Sequence, residues 1–243
     1  MITVEANTKD LGVIMSSDLK FKDHHRKIAT KCRSLSAWTL RTFITRDSDT
    51  MTKLFNSLIL PRIDYCSQLW APHNVSDWNE LEAIQRRFTH RIDALKDLDY
   101  WDRLKCLRMY SIERRTERYK IIYLWKILEN LAPNLNSNKI VSKYSERRGR
   151  YVVIPNIKKQ CSAKINTIRE NSFSIHSAKL FNALPKRIRN ITDVRVETFK
   201  HHLDKLLHHI PDEPGIPGYA GRRAGASNSI YHQISYYGGS DSS

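Results

Sequence analysis

The sequence lacks any long apolar run. Its longest, Ile121 to Trp125, is five residues, whereas a helix needs about 20 apolar residues to cross a bilayer. The first ten residues do not combine a basic stretch with an apolar one, so they do not have the pattern of a secretory signal peptide. We therefore expect no membrane partner and an intracellular location, either nuclear or cytoplasmic.

Cysteine is scarce and widely spaced. The four cysteines, Cys32, Cys66, Cys106 and Cys161, do not form the CxxC spacing of a zinc site, and inside a cell they would stay thiols. Free cysteine usually packs as a small apolar residue. We predict core positions for all four, rather than metal ligands or nucleophiles, and no cofactor.

Paired aspartates are also missing. Enzymes that use two metal ions hold them with clustered carboxylates, and no Asp-Asp pair occurs anywhere in the sequence. The nearest approaches are Asp47-Ser48-Asp49 and Asp97-Leu98-Asp99. Both stand at predicted helix starts, where a carboxylate stabilises the helix dipole. We predict helix capping at these places and no catalytic residue in this chain.

Positive charge is what the sequence has in excess. Lysine and arginine total 41 against 25 acidic residues, a formal net charge of +16. Such an excess destabilises a compact chain by self-repulsion and is usually neutralised by a polyanion. Nucleic-acid binding is the favoured interpretation. Two other interpretations of the charge remain. The chain could bind an anionic membrane surface, or its basic residues could serve solubility alone, as in a ribosome-like basic protein.

Hydrophobic periodicity predicts a mainly α chain. Lys9 to Met15 resembles a strand with Gly12 at a close backbone approach. Five helical segments follow: Asp23 to Phe43, Ser48 to Trp70 with a kink or break at Pro61, Ser76 to Ile92, Tyr100 to Arg108, and Ser111 to Leu131. The charged first half of the last segment is predicted to face a charged partner. The tryptophans, at apolar helical positions, are predicted to anchor the core: Trp38, Trp70, Trp78, Trp101 and Trp125.

The composition changes beyond residue 132. Between Lys139 and Arg169 there are nine basic residues and one acidic residue, which indicates a basic, loop-rich connector. A short strand over Phe173 to Ile175 and helices over His176 to Leu184 and Thr192 to His209 are predicted next. The last residues are rich in Gly, Pro and Ser and are predicted to be disordered.

The predicted architecture is a helical bundle with a short N-terminal strand or hairpin, a connector, a small α-rich C-terminal subdomain and a disordered tail. The predicted segments are 1–22 (strand region), 23–132 (helical bundle), 133–169 (basic connector), 170–210 (C-terminal helical subdomain) and 211–243 (tail).

Four strings of the sequence carry a resemblance to a known family. Ser57 to Trp70 is similar to the pattern Leu-x-x-Pro-x-x-x-Tyr-(Cys/Ala)-x-x-(Val/Leu)-Trp, and Leu81 to Ile92 is similar to a Leu-Glu-x-(Val/Ile)-Gln-(Arg/Lys)-(Arg/Lys) helix. Lys9 to His24 resembles a segment leaving a catalytic palm. Phe181 to Lys200 resembles a Trp-Asn-x-Leu-Pro … Phe-Lys tail, with Phe181 in place of Trp. Together they resemble reverse transcriptases of non-LTR (LINE-type, jockey-like) retrotransposons.

The resemblance covers about residues 9–205 in family order. It implies the polymerase thumb and the region after it, which contact template RNA and nascent DNA. The family's Tyr/Phe-x-Asp-Asp turn is absent, so we expect no polymerase activity from this chain alone. The implied partners are RNA or an RNA–DNA hybrid, and the palm and fingers of the parent enzyme. A helical protein-interaction module and a non-functional retroelement remnant are the alternatives.

Two groups of basic residues are candidates for nucleic-acid contact. Arginine on a thumb-like helix can form forked contacts with phosphate oxygens, and basic residues between tyrosines can accompany stacking on unpaired bases. The alternative for both groups is a solvated helix face or loop. The helical group comprises Arg86, Arg87, Arg91, Arg114, Arg115 and Arg118. The connector group, with Tyr144 and Tyr151 interleaved, comprises Arg147, Arg148, Arg150, Lys158 and Lys159.

Four histidines near the end of the last predicted helix, His201, His202, His208 and His209, invite a metal-binding interpretation. His201 and His208 lie two helical turns apart, which is too far to hold one ion without a third ligand between them. We predict an exposed polar face and no metal site.

Overall fold

A computed structural model describes residues 7–72, 74–134, 140–154, 168–213 and 228–237. The chain is mainly helical with a short N-terminal antiparallel strand pair, as predicted. It divides into two compact units, Met1–Thr116 and Glu117–Ser243, so the boundary falls inside a helix that the sequence interpretation assigns wholly to the bundle. Among the described helices, none combines the length and apolarity needed to span a membrane.

The N-terminal unit begins with a hairpin and continues as helices. Its elements are β1 (Asn7–Asp10), β2 (Val13–Ser16), α1 (Lys22–Thr42), α2 (Ser48–Leu54), a π-helical turn (Phe55–Ile59), α3 (Leu60–Asp64), α4 (Ser67–Trp70), α5 (Val75–Thr89), a 3-10 turn (Asp93–Leu95), α6 (Tyr100–Leu107) and the start of α7 (Ile112–Leu128).

The hairpin replaces the single strand predicted from Lys9 to Met15. Leu11 and Gly12 both have positive φ, 43° and 89°, which is the geometry of a two-residue hairpin turn. Asp10 pairs with Val13 across this turn. Val13 is buried and joins the hydrophobic core of this unit, whereas the residues of β1 are exposed.

Helix starts follow local side-chain chemistry. The predicted caps are confirmed at Asp47, whose carboxylate accepts a hydrogen bond from Thr50 N at 2.9 Å, and at Asp99, which accepts from Trp101 N at 2.8 Å. Ser111 Oγ accepts from Arg114 N at 3.1 Å. Each bond satisfies a donor that the first helical turn leaves open.

Pro61 neither breaks nor ends the helical path. The chain stays helical from Ser48 to Asp64, and the π-helical turn stands directly before Pro61, which occupies the first turn of α3. Proline lacks an N–H, so it fits best where the preceding turn does not need that donor. The switch from α-helix to a π-helical turn before α3 changes the hydrogen-bond spacing, so that the missing N–H of Pro61 falls in the first turn of α3.

The core of the N-terminal unit is aromatic at its centre. Trp70, Phe55 and Phe88 are almost completely buried, and the rings of Phe55 and Phe88 lie 5.0 Å apart. Two tryptophan predictions are wrong. Trp38 is 49% exposed, because Thr39 takes the inward position of α1, and Trp101 is only half-buried.

Cysteine burial differs from one position to the next. Cys32 is fully buried, as predicted, and burial raises the pKa of its thiol to about 11. Cys66 is half-buried and Cys106 is exposed, so the core prediction is wrong for Cys106. Cys161 lies outside the described residues.

The C-terminal unit contains the rest of α7, a hairpin and further helices. The elements are β3 (Ser142–Ser145), β4 (Gly149–Val152), α8 (Phe173–Ala183), α9 (Lys186–Arg189), α10 (Val196–His208) and α11 (Ile230–Tyr237). The indole of Trp125 stacks on Phe199 with the ring centroids 4.5 Å apart. This stack joins α7 to α10.

One prediction for this unit is wrong, and the structure adds detail to two others. Phe173 to Ile175 is not a strand but the first turn of α8, because Ile175 packs inward with Ala178 on a helical face. The connector contains the β3–β4 hairpin. Within the predicted tail the structure describes residues 211–213 and 228–237, where Ile230 on α11 is completely buried.

The outer side of β4 is occupied by side chains. Asn182 on α8 accepts a hydrogen bond from Val152 N and donates one to Val152 O, both at 2.8 Å. Asn190 Oδ1 accepts from Arg150 N at 2.8 Å, and Arg189 donates to Arg150 O at 2.6 Å. Four backbone groups of this strand thereby find partners on helical segments.

The charged first half of α7 is not offered to solvent, contrary to expectation. Arg114 is completely buried, Glu117 is 3% exposed and Lys120 is 4% exposed. The Glu117 carboxylate accepts hydrogen bonds from Ser229 Oγ at 2.7 Å and from Ile230 N at 2.6 Å. Polar residues of α7 therefore hold the start of α11 in the interior of the C-terminal unit.

Candidate nucleic-acid interface

Helix α5 carries the first predicted arginines at its C-terminal end. Arg86 and Arg87 stand in its last turn, and Arg91 follows shortly after it. Cations are stabilised at this end of a helix by its dipole. Because Ile84 and Phe88 are buried in the core, the arginines next to them are placed at the margin of that core.

The structure brings these arginines together around one cleft beside α1. The cleft has a volume of about 600 Å³. None of the described residues that line it is acidic. Its basic lining consists of Arg33, Arg86, Arg87, His90, Arg91 and Arg103. A concentration of guanidinium groups of this kind attracts phosphate and can bind it through forked hydrogen bonds.

The lining arginines differ in how firmly they are held. Arg87 and Arg91 are exposed and form no ion pair within the described ranges. The guanidinium of Arg86 lies 4.9 Å from the centre of the Tyr100 ring, a cation–π contact. Arg33 is paired with Glu80 at 2.7 Å. Arg87 and Arg91 are therefore the most available to a phosphate.

Arg103 on α6 is a basic residue of the cleft that the sequence analysis did not single out. It is 4% exposed, and its guanidinium donates hydrogen bonds to Thr89 Oγ1 at 3.3 Å and to the carbonyl oxygen of Leu98 at 2.5 Å. Within the part of the chain that the structure describes, it forms no ion pair. Burial lowers the pKa of Arg103, because a low-dielectric surrounding disfavours its charged form.

A signal for Arg103 is present in the sequence. Tyr100, Leu104 and Leu107 follow a helical stripe, and Arg103 falls on the same face at the i+3 position from Tyr100. A charged residue on a predicted buried stripe is unusual enough to be noticed, since burial of a charge is unfavourable without compensation.

The remaining wall of the cleft is apolar. It is formed by Ala37 and Leu40 of α1 and by Ile84 and Phe88 of α5. Ser36 also lines it. The hydroxyl of Ser36 is buried and has no hydrogen-bond partner within the described residues.

The other helical arginines of the candidate group are engaged inside the fold. Arg114 is completely buried. Arg115 binds Asp64 through its Nε and Nη2 atoms, at 2.9 and 2.7 Å from Oδ2. Arg118 binds Asp204 in the same two-pronged way, at 2.5 and 2.6 Å. None of the three lines the cleft, and we leave them out of the proposed interface.

The connector arginines lie on or next to the β3–β4 hairpin. Arg147 and Arg148 are exposed at its turn, and Arg148 lies 5.9 Å from the centre of the Tyr151 ring. Arg150 is half-buried and pairs with Glu129 at 2.5 Å. Tyr144 is 68% exposed. Lys158 and Lys159, the remaining connector candidates, lie outside the described residues.

The four clustered histidines are exposed on and just after α10. The rings of His201 and His202 make an edge contact at 5.9 Å. Among the described residues there is no group of three His, Cys, Asp or Glu side chains that could hold a metal ion.

Comparison of the chain with protein-family models, with curated proteins and with solved structures gave no match. The resemblance to retrotransposon reverse transcriptases therefore stays a prediction based on the sequence strings themselves.

Proposed function

We propose that this chain binds RNA or an RNA–DNA hybrid, and that the cleft between α1 and α5 contacts the phosphate backbone. The observation that carries the proposal is the convergence of five arginines on a cleft whose described lining contains no acidic residue. The net charge of +16 supports the same partner, because an excess of this size favours association with polyanions.

In keeping with the sequence resemblance, we propose that the chain is a C-terminal, thumb and post-thumb fragment of a retrotransposon RNA-directed DNA polymerase. Its role is then to hold template RNA or the RNA–DNA duplex. It contributes no catalytic residue, since no Asp-Asp pair is present to bind the two metal ions. Primer extension by the chain alone would contradict this assignment.

Binding through phosphate contacts has a measurable signature. Arginine–phosphate contacts release condensed counterions, so log affinity falls linearly with log salt with a slope of about −0.9 for each phosphate neutralised on duplex. If about five phosphates are neutralised, the slope is about −4.5. Affinity should depend little on base sequence, because backbone contacts carry no sequence information.

The experiment is fluorescence anisotropy of a labelled RNA–DNA hybrid titrated with the full chain between about 50 and 200 mM salt. The triple variant Arg86→Gln, Arg87→Gln, Arg91→Gln should bind at least tenfold more weakly and lower the salt slope by about 3. The control variant Lys22→Gln, Lys27→Gln, Lys31→Gln removes the same charge from exposed positions of α1 that do not line the cleft.

The control should lose less than about threefold in affinity. Equal losses in the two variants would reject the cleft as the interface, because net charge alone would then explain binding. Absence of binding at about 50 mM salt would reject nucleic acid as the partner.

A further inference from the structure

The cleft between α1 and α5 has a feature that backbone contact alone does not require. Ala37, Leu40, Ile84 and Phe88 form an apolar wall that faces the same space as the arginines. In a regular duplex the bases are stacked and paired, so such a wall would meet only sugar and phosphate. An unpaired base, in contrast, offers a flat apolar face that such surfaces bind.

Ser36 places a hydrogen-bonding group in this wall. Its side chain is 9% exposed, and its hydroxyl has no partner within the described residues. Thr39 on the same helix behaves differently, since its hydroxyl donates to the carbonyl oxygen of Leu35 at 2.8 Å. A buried hydroxyl without a partner is unfavourable. A polar atom of a ligand in the cleft would provide the missing hydrogen bond.

Arg103 supplies a cation at the most buried point of the basic lining. It is held by neutral acceptors, Thr89 Oγ1 and the Leu98 carbonyl. No ion pair compensates its charge within the described ranges. Because only 4% of Arg103 is exposed and it lines the cleft, an anion must enter the cleft to reach it. The Asp99 carboxylate acts on Arg103 only from beyond ion-pair distance. A buried charge is unfavourable without close compensation, and a phosphate in the cleft would provide it.

The volume of the cleft is that of a site for one small ligand. A volume of about 600 Å³ lies within the range of about 300–1,000 Å³ typical of small-molecule sites. We propose that the cleft holds a single unpaired nucleotide of an RNA or DNA strand, with its base against the surface that Ala37 and Leu40 expose and its phosphate at Arg103 and Arg86. This inference rests on the proposed function, since it specifies which part of the nucleic acid enters the cleft.

Three labelled ligands separate base recognition from charge. The first is a blunt RNA–DNA hybrid, the second carries a short single-stranded overhang, and the third carries an overhang of the same length made of abasic nucleotides. The last two have equal charge and differ only in the bases. Stacking of one base predicts at least about fivefold tighter binding of the base-bearing overhang than of the abasic one, measured by anisotropy with the full chain.

A variant that fills the cleft without changing its charge tests the same point from the side of the protein. Ala37→Trp places an uncharged ring in the cleft from an exposed position of α1, so every arginine remains. We expect it to abolish the difference in affinity between the base-bearing and the abasic overhang. Ser34→Trp, on an exposed position of the same helix outside the cleft, should keep the difference.

The possible results distinguish the two proposals. Equal affinity for the base-bearing and abasic overhangs would overturn the nucleotide site while leaving hybrid binding in place. Competition by polyglutamate as effective as that by the base-bearing overhang would also overturn it, because the cleft would then accept any polyanion. If the chain bound none of the three ligands at low salt, both the proposed function and this inference would be rejected.

Discussion

The two arginine-rich helices of this chain use the same residue type in different ways. On and just after α5, Arg87 and Arg91 are exposed and form no ion pair within the described residues. On α7, Arg115 binds Asp64 and Arg118 binds Asp204, each through two guanidinium nitrogens. The difference comes from whether another element places a carboxylate within reach.

This difference decides what an arginine can do. A guanidinium already paired with a carboxylate has its directional donors occupied and stabilises the fold. One without a carboxylate keeps its donors for a phosphate and adds to the local potential. The arginines Arg115 and Arg118 of α7 therefore stabilise the fold, whereas Arg87 and Arg91 keep their donors for the phosphate that we propose as their ligand.

The sharpest test of α7 as a structural helix is Glu117→Ala. Glu117 is 3% exposed and accepts hydrogen bonds from Ser229 and Ile230. The substitution leaves the buried Ser229 hydroxyl and Ile230 N–H without their acceptor, at a cost of about 1–3 kcal/mol for each group. We therefore expect the free energy of unfolding, measured with urea and circular dichroism, to fall by about 2–5 kcal/mol. Glu197→Ala, at an exposed position of α10, should cost less than about 1 kcal/mol. Similar costs for both would contradict a structural α7.

A second test uses the buried amine of the same helix. Burial lowers the pKa of Lys120 from 10.5 to about 8. Between pH 8 and 10.5 the unfolded chain holds a proton that the folded chain has released, so the free energy of unfolding rises with pH in this window. The rise from pH 7.5 to 9.5 should be about 2 kcal/mol. Lys120→Met should remove it and the exposed Lys179→Met should not. If the unmodified chain and both variants showed the same dependence of unfolding free energy on pH, the assignment of this rise to Lys120 would be wrong.

The smallest expected effects come from replacing one arginine of α7 and one arginine of α5. Arg115→Ala removes the two-pronged contact with the partly buried Asp64 and should lower the free energy of unfolding by about 1–2 kcal/mol, with hybrid affinity unchanged within twofold. Arg87→Ala should leave stability within about 0.5 kcal/mol and lower the salt slope of binding by about 1. If Arg115→Ala weakened binding as much as Arg87→Ala, the division between the two helices would fail.

Local chemistry in the sequence was enough to predict much of the fold. Asp47 and Asp99 cap helices as predicted, because a cap depends on residues only two or three positions away. Trp38 and Phe173 were mispredicted for the opposite reason. The inward face of α1 and the helical state of Phe173 depend on packing against distant parts of the chain, and such tertiary packing can override local pattern.

The candidate site was predictable only in part. The run Arg86, Arg87 and Arg91 is visible in the sequence, and the structure gathers it on one cleft. The burial of Arg114 and the carboxylate partners of Arg115 and Arg118 are not visible, because Asp64 and Asp204 lie 51 and 86 residues from their arginines. Charge counts alone cannot tell a paired guanidinium from an available one.

Residues in the family-like strings have structural roles in this fold. Tyr65 donates to the Leu11 carbonyl at 2.8 Å, and Trp70 donates to the Tyr65 carbonyl at 2.7 Å. Gln85 donates to the Tyr110 carbonyl at 3.0 Å. The contacts of Tyr65 and Gln85 join segments of the N-terminal unit that are 54 and 25 residues apart in sequence. The strings therefore carry information about how the chain packs, beyond the arginines they contain.

The side chains along β4 have a consequence for how this protein behaves at high concentration. Exposed strand edges recruit strands from other molecules and promote aggregation. Here Asn182, Arg189 and Asn190 occupy the backbone groups of Arg150 and Val152, so an incoming strand would find no open donors or acceptors at these residues. The amide of Asn182 acts as a substitute for a neighbouring peptide group and closes the β4 edge of the hairpin to an incoming strand.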